Sequence, residues 1–273
     1  MKRARRSAKE SARPSAAAGT AAWDGHPLSP AFLAMLPLFA AYEFSLVAGG
    51  GARRNASEVV LGLWLAPFGS HADGVRIALL VAAIPVALYF CRAGGIRVRE
   101  SVARIWLEAM VAALTLGPAL VATTALCLRL LGLESVSWDA SRDGPTAAQA
   151  ALVFGGAVWE ELLFRIGLYG LLYWTFVRAA RLLGLGADGG RRLADVLALA
   201  LSALAFAAFH FRRFTHWLWE GGIAFSWPTF LWISGAGVLL GLIYRLRGPG
   251  VAAGAHGLFN LGLLIGIDPE VLT

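Results

Sequence analysis

Two adjacent carboxylates and a guanidinium, Glu160, Glu161 and Arg165 of the hexad EELLFR, interrupt a run of residues that is otherwise apolar. A charge at bilayer depth costs about 3 kcal/mol or more, and such groups ordinarily face a bundle interior. Two other apolar runs carry polar groups at one-turn spacing. FAAFH puts Phe206 and His210 on one helix face, and HGLFN does the same for His256 and Asn260. Glu161 and Arg165 also share a face, with Glu160 about 100° around from Glu161.

Taken singly, each pair has a structural explanation. Glu161 with Arg165 reads as an internal ion pair that fixes helix orientation, His210 as a satisfied bundle histidine, Asn260 as interhelical glue, and Phe206 as packing. Glu160 does not fit this scheme, because one arginine needs only one carboxylate and a second charge left in lipid is expensive. Two histidines and an amide on other segments supply the donors it lacks. Together these groups are the parts for acid–base chemistry on a buried water. A desolvated carboxylate is a competent general base when a histidine holds the same water, the roles open to Glu160 and His210. His256 and the Asn260 amide can donate to the oxyanion of a tetrahedral intermediate. The chemistry so described is hydrolysis of a peptide bond. No thiol nucleophile competes, since Cys91 and Cys127 have no histidine at local spacing.

The surroundings that must position these groups are apolar. Of the 273 residues 58% are hydrophobic and 15% charged, against roughly 25% charged in soluble domains, so a polytopic membrane protein is expected. The formal charge of +7 comes from Arg and Lys in short connections, as cytoplasmic loops require, rather than from a nucleic-acid surface. The fold class is an all-α integral membrane bundle. Apolar runs at 31–48, 77–91, 105–131, 147–176, 193–211, 228–244 and 250–267 give about seven helices. A shorter run at 58–69, broken by Pro67 and Gly69, reads as interfacial or re-entrant and allows eight as the alternative. Residues 1–30 read as a basic disordered cytoplasmic tail and 31–273 as one integral domain.

Loop charge gives the orientation. With seven spans Arg92, Arg97, Arg99, Arg104, Arg178, Arg181, Arg191, Arg192, Arg245 and Arg247 all fall on the side of the tail. Glu134, Asp139, Asp143, Asp268 and Glu270 fall opposite, so the N-terminus is expected inside. Arg53, Arg54, Arg212 and Arg213 run against the pattern. Straight helices place Glu160 near mid-membrane, His210 toward the outer end and His256 toward the inner end. For all three to meet, a helix must be short, tilted or broken. Gly237 with Gly241, Gly250 with Gly254 and Gly262 with Gly266 have the spacing of close helix packing.

The three motifs, in order and each within an expected span, resemble those of the membrane-embedded CAAX prenyl protease and bacteriocin-processing family of glutamic-type intramembrane endopeptidases. That family carries Glu-Glu-x-x-x-Arg, then Phe-x-x-x-His, then His-x-x-x-Asn or Asp, matched here by EELLFR (160–165), FAAFH (206–210) and HGLFN (256–260). The resemblance covers roughly 147–267. It implies that Glu160 and His210 activate the water and that His256 and Asn260 stabilise the oxyanion, with Glu161, Arg165 and Phe206 in support. It implies no cofactor and no metal. The partners it implies are membrane lipid and a membrane-anchored or membrane-associated peptide or protein substrate, not nucleic acid. The Ala-, Gly-, Leu- and Arg-rich composition points to a bacterial inner membrane.

Two alternatives use the same residues. Glu160, His210 and His256 can be read as zinc ligands, although no HExxH is present. A non-catalytic immunity or transport protein would use buried polar groups to move protons or bind peptide, but paired halves with matching interrupted helices are missing. Trp217, Trp219, Trp227 and Trp232 read as an interfacial belt or as a lid or substrate-access surface. Glu43 and Glu108 lie in apolar runs without an assigned role.

Overall fold

The computed structural model describes residues 26–49, 54–131, 146–217 and 221–264. Each of the seven apolar runs forms a helix. They are α1 (Leu28–Ala48), α3 (Ala72–Ala93), α4 (Val98–Leu131), a rod made of α5 (Ala147–Glu161), a π-helical stretch (Leu162–Tyr169) and α6 (Gly170–Leu182), then α7 (Ala187–Phe209), α9 (Trp227–Arg247) and α10 (Pro249–Leu264). The run at 58–69 is a short helix α2 (Ala56–Gly62) followed by a 3-10 stretch (Leu63–His71) that leads straight into α3, and a second short helix α8 (Arg212–Thr215) follows α7. Gly69 breaks the 3-10 stretch with φ 53° and ψ −126°. Among the described residues the only pairing of β type is a single bridge between Phe211 and Ile223.

Five helical stretches are long and apolar enough to cross a membrane: Leu28–Ala48, Ala56–Ala93, Val98–Leu120, Ala187–Phe209 and Trp227–Arg247. The fold is an all-α integral membrane bundle. α1 begins three residues before its apolar run, so Leu28 to Pro30 belong to the helix rather than to a tail, and Pro30 is buried. Residues 1–25 of the basic tail lie outside the described residues, as do Arg53, the acidic connection around Asp139, Trp219, Gly266 and the C-terminal Asp268 and Glu270.

Local chemistry sets the ends that matter. Thr146 and Gln149 form a reciprocal capping box at the start of α5, satisfying two backbone donors that the helix leaves open. Ser226 caps α9 by accepting from the Thr229 backbone N–H. α9 and α10 are joined by Gly248 alone, at φ 89°, a conformation that side-chain-bearing residues rarely adopt.

α10 is the centre of the bundle. It packs against α1, α4, α5 and α9, and it does so closely because its first half, PGVAAGAHG, is nearly all small. A Cβ on Gly250 would stand 3.0 Å from the Ala31 backbone, and one on Gly254 would stand 2.9 Å from Ala109. Gly237 of α9 is similarly tight against Ala203 of α7, at 3.1 Å. Gly262 differs from the expected pattern. Among the described residues nothing lies within 4 Å of its missing Cβ.

Two charge clusters tie helix ends together. Glu108 accepts from Arg104 at 3.0 Å and from Arg247, and meets His26 at 2.9 Å, which joins the start of α1, α4 and the end of α9. On α2 and α3, Arg54 pairs with Asp73 at 2.6 Å and with Glu58 at 3.1 Å, while Arg76 pairs with Glu43 at 2.9 Å and with Glu58. Arg54 therefore ran against the loop-charge pattern for a reason: it is neutralised locally.

The contrast among glycines is testable. Gly254→Ala is expected to lose about 1–3 kcal/mol of stability by overpacking, whereas Gly262→Ala stays neutral or gains up to about 1 kcal/mol from helix preference. Thermal unfolding in detergent measures both.

Candidate active site

The rod of α5, the π stretch and α6 presents the hexad from the core. Glu160, Glu161 and Arg165 are 6%, 1% and 0% exposed. The rod changes from α to π hydrogen bonding immediately after Glu161, in a stretch that holds Gly167 and ends just before Gly170. Such wide turns recur at functional sites. Gly155 and Gly156, one turn earlier, let the chain of α1 and Asn55 approach. A Cβ on Gly155 would stand 2.6 Å from the Leu38 carbonyl oxygen, and one on Gly156 3.0 Å from Asn55 Nδ2. On α10, a Cβ on Gly257 would meet the Phe154 carbonyl oxygen at 2.8 Å, so His256 lies hard against α5.

The two carboxylates, on adjoining faces of the helix, meet the same imidazole. Glu161 Oε1 lies 3.0 Å from His256 Nδ1, and Glu160 Oε2 lies 3.5 Å from His256 Nε2. The other Glu161 oxygen is 3.4 Å from Arg165 Nε. Arg165 in turn donates to the Gly237 carbonyl at 3.0 Å and lies over the Phe206 ring, 5.0 Å from its centre. A carboxylate paired with arginine accepts hydrogen bonds and cannot donate, so Nδ1 of His256 carries the proton. The chain Arg165, Glu161, His256 thus fixes the ring and turns Nε2 toward Glu160.

His210 is fixed in a comparable way from another helix. It sits at the C-terminal cap of α7, and its Nδ1 is 2.8 Å from the Phe206 carbonyl. A carbonyl only accepts, so Nδ1 carries the hydrogen and Nε2 keeps its lone pair. The His210 backbone is held by the bridge: its carbonyl accepts from Ile223 N–H at 2.9 Å, and Arg212 N–H donates to the Ile223 carbonyl at 3.1 Å. Phe206 packs edge-on against both imidazoles, with ring centres 4.8 Å from His210 and 5.6 Å from His256.

Two adjoining spaces result. A cavity of about 40 Å³ is lined by Phe206, His210, Trp232, His256, Phe259 and Asn260 among others. A smaller hollow of about 10 Å³ is lined by Asn55, Ala56, Ser57, Glu160, Phe164, Phe209 and His210. A water needs roughly 10–15 Å³ by this measure, so the hollow suits one water and the cavity a few. His210 is the wall they share. The structure brings all seven expected residues together: Glu160 with His210 at the hollow, His210 with His256 and Asn260 at the cavity, and Glu161, Arg165 and Phe206 behind them. The depth conflict of straight helices is resolved by α7 ending at His210 and by the π stretch.

Glu43 and Glu108 are not part of this site; they belong to the two charge clusters. The tryptophans separate. Trp217 and Trp227 are exposed, whereas Trp232 is buried and lines the cavity, so it is neither belt nor lid. Asn55 escaped the sequence reading. Its Nδ2 donates to Glu160 Oε1 at 2.6 Å from 105 positions away. The available signal was a cap pattern, Asn55 followed by Glu58 and the apolar VVLG, which marks a helix start but not a partner for Glu160. Among the described residues no three His, Cys, Asp or Glu side chains are grouped so as to hold a metal ion.

The sequence profile of the family described as type II CAAX prenyl endopeptidase Rce1-like matches residues 143–262, a stretch that contains all three motifs. This segment is Rce1-like. Neither curated proteins nor solved structures give a significant match to the chain. The match supports a relation of this segment to the CAAX-type intramembrane proteases, and the long apolar helices fit an integral membrane protein. The Rce1-like segment supplies the rod, α7, α9 and most of α10; Asn55 lies outside it.

Arg165 is the counter-charge within the Rce1-like core. Arg165→Met leaves Glu161 buried without its cation and is expected to cost about 3–5 kcal/mol, while Glu161→Gln combined with Arg165→Met recovers part of that loss. Chemical denaturation of the single and double variants in detergent reads the difference.

Proposed function

We propose that the protein is a metal-independent, glutamic-type intramembrane endopeptidase in which Glu160 and His210 activate a water and His256 with Asn260 stabilises the oxyanion. The observation that carries this reading is the hollow sized for one water between Glu160 and His210, opening beside a cavity walled by His256 and Asn260. The substrate is a membrane-anchored or membrane-associated peptide or protein, lipid is the surrounding partner, and the setting is a bacterial inner membrane with the N-terminus inside. The arginine-rich connections support that orientation.

Glu160 takes a proton from the water, whose oxygen attacks the scissile carbonyl carbon while His210 Nε2 accepts the water's other hydrogen in a hydrogen bond. The carbonyl electron pair moves to oxygen, which receives hydrogen bonds from His256 Nε2–H and the Asn260 amide. Because Nδ1 of His256 is already donated to Glu161, donation from Nε2 requires a ring carrying both protons. The buried charges then cancel, with Glu160 and Glu161 negative and Arg165 and His256 positive. On collapse the carbonyl re-forms, the C–N bond breaks and the proton held by Glu160 passes to the leaving nitrogen. One water is consumed, and a carboxylic acid and an amine are released, the acid keeping the hydrogen that His210 held in a hydrogen bond. A zinc enzyme built on the same side chains would need His256 Nε2 and Glu160 as ligands in place of these roles.

The test is cleavage of a quenched-fluorescent peptide with a prenylated CAAX tail by the purified protein in detergent, beside an unprenylated membrane peptide. Wild type is expected to cleave at least one of them, Glu160→Ala to lose cleavage by about 1000-fold or more, and 1,10-phenanthroline or EDTA to leave the rate unchanged. Loss of activity with chelator would establish a metal enzyme instead. Full activity of Glu160→Ala would remove Glu160 from the chemistry, and cleavage of neither peptide would exclude these substrate types.

A further inference from the structure

The active-site carboxylate is held from outside the Rce1-like segment. Asn55 is buried at the start of α2 and has its two amide atoms fully assigned. Its Oδ1 accepts from the Ser57 backbone N–H at 2.9 Å as the helix cap. The atom that faces Glu160 is therefore Nδ2, a donor, and the contact to Oε1 is 2.6 Å. The Asn55 backbone N–H donates to the Tyr42 hydroxyl at 3.0 Å. Beyond it, Glu58 is clamped by Arg54 and Arg76, and those guanidiniums also bind Asp73 and Glu43. The cap, the tyrosine and the charge cluster leave Asn55 no freedom to turn away, and Gly156 provides the space it occupies.

We propose that Asn55 is a positioning residue for the hydrolytic reaction, one that ties down Oε1 of Glu160 so that Oε2 is the oxygen presented to the reacting water and to His256. The inference rests on the reading of Glu160 as the base. A glutamate carries two or three rotatable bonds that must all be fixed before its oxygen lies within reach of a proton, and a misplacement of about 1 Å can cost on the order of 100-fold in rate. Arg165 cannot do this, since it is engaged with Glu161 and the Gly237 carbonyl. His256 meets Glu160 at 3.5 Å, beyond a good hydrogen bond, and is itself oriented by Glu161. Asn55 makes the one short hydrogen bond to Glu160 among the described residues. This gives the charge cluster on α2 and α3, including Glu43, a consequence at the active site: it fixes the cap that fixes the base.

The competing explanation is that Asn55 only caps α2. Ser caps helices about as well as Asn and Thr nearly so, so Asn55→Ser and Asn55→Thr keep the cap while removing the amide donor, without the added charge that Asp would set against Glu160. In the peptide-cleavage assay, run well below the melting temperature that the lost buried hydrogen bond lowers, both variants are expected to lower kcat by about 10- to 100-fold, with KM within about twofold. Wild-type kcat in both variants overturns the inference and leaves the role of Glu160 intact, because Glu160→Ala would still be inactive. Full activity of Glu160→Ala overturns both. A second measurement needs no substrate: the melting temperatures of Asn55→Ser, Glu160→Ala and the double variant. Non-additive shifts are expected from a direct contact, and strictly additive shifts would overturn the inference.

Discussion

The controlling constraint is the neutralisation of two adjacent carboxylates inside a membrane bundle. Glu160 and Glu161 cannot be left to solvent, and in a low-dielectric core each must find donors or a counter-charge. Glu161 takes Arg165 and His256, and Glu160 takes Asn55 and the far side of the same imidazole. Those partners come from three separate parts of the chain, the rod itself, α10 and the start of α2, and α7 adds the Phe206 ring beneath Arg165. The architecture around the site follows from bringing these parts within hydrogen-bond reach.

Close approach is what the small residues provide. Gly155, Gly156, Gly254 and Gly257 sit where a methyl group would touch a neighbouring helix, and they cluster on α5 and α10, the two helices that carry the hexad and its imidazole partner. Water-driven burial gives little force between helices in lipid, so backbone proximity and packing supply the association. The same proximity sets the dimensions of the site. A hollow for one water survives between Glu160 and His210 because Phe164 and Phe209 fill the space around it, with ring centres 5.2 Å apart.

What was legible in the sequence was local. Seven apolar runs became seven helices, and the one-turn spacings in EELLFR, FAAFH and HGLFN put their polar groups on common faces, because periodicity is a property of neighbouring residues. What was not legible depended on contacts between distant segments. Asn55 looks like an ordinary cap, and nothing near it in sequence refers to Glu160. Glu43 finds its partner in Arg76, 33 positions away, and Trp232 turns inward to line the cavity although Trp227, five residues earlier, stays exposed. The glycine spacing was informative at Gly237, Gly250 and Gly254 and uninformative at Gly262, since spacing shows which residues share a face but not whether a helix lies opposite. The break after Glu161 was foreseen only as a need, from the depths at which straight helices would have left the motifs.

α10 is enclosed by α1, α4, α5 and α9, and 12 of its 16 residues are buried. Hydrophobic matching to the bilayer is a demand on helices that touch lipid, and most of α10 does not. It therefore needs neither tilt nor local thinning of the membrane to match the hydrocarbon layer. A helix relieved of the lipid boundary can carry a histidine and an asparagine at depth, because protein rather than hydrocarbon surrounds their polar groups.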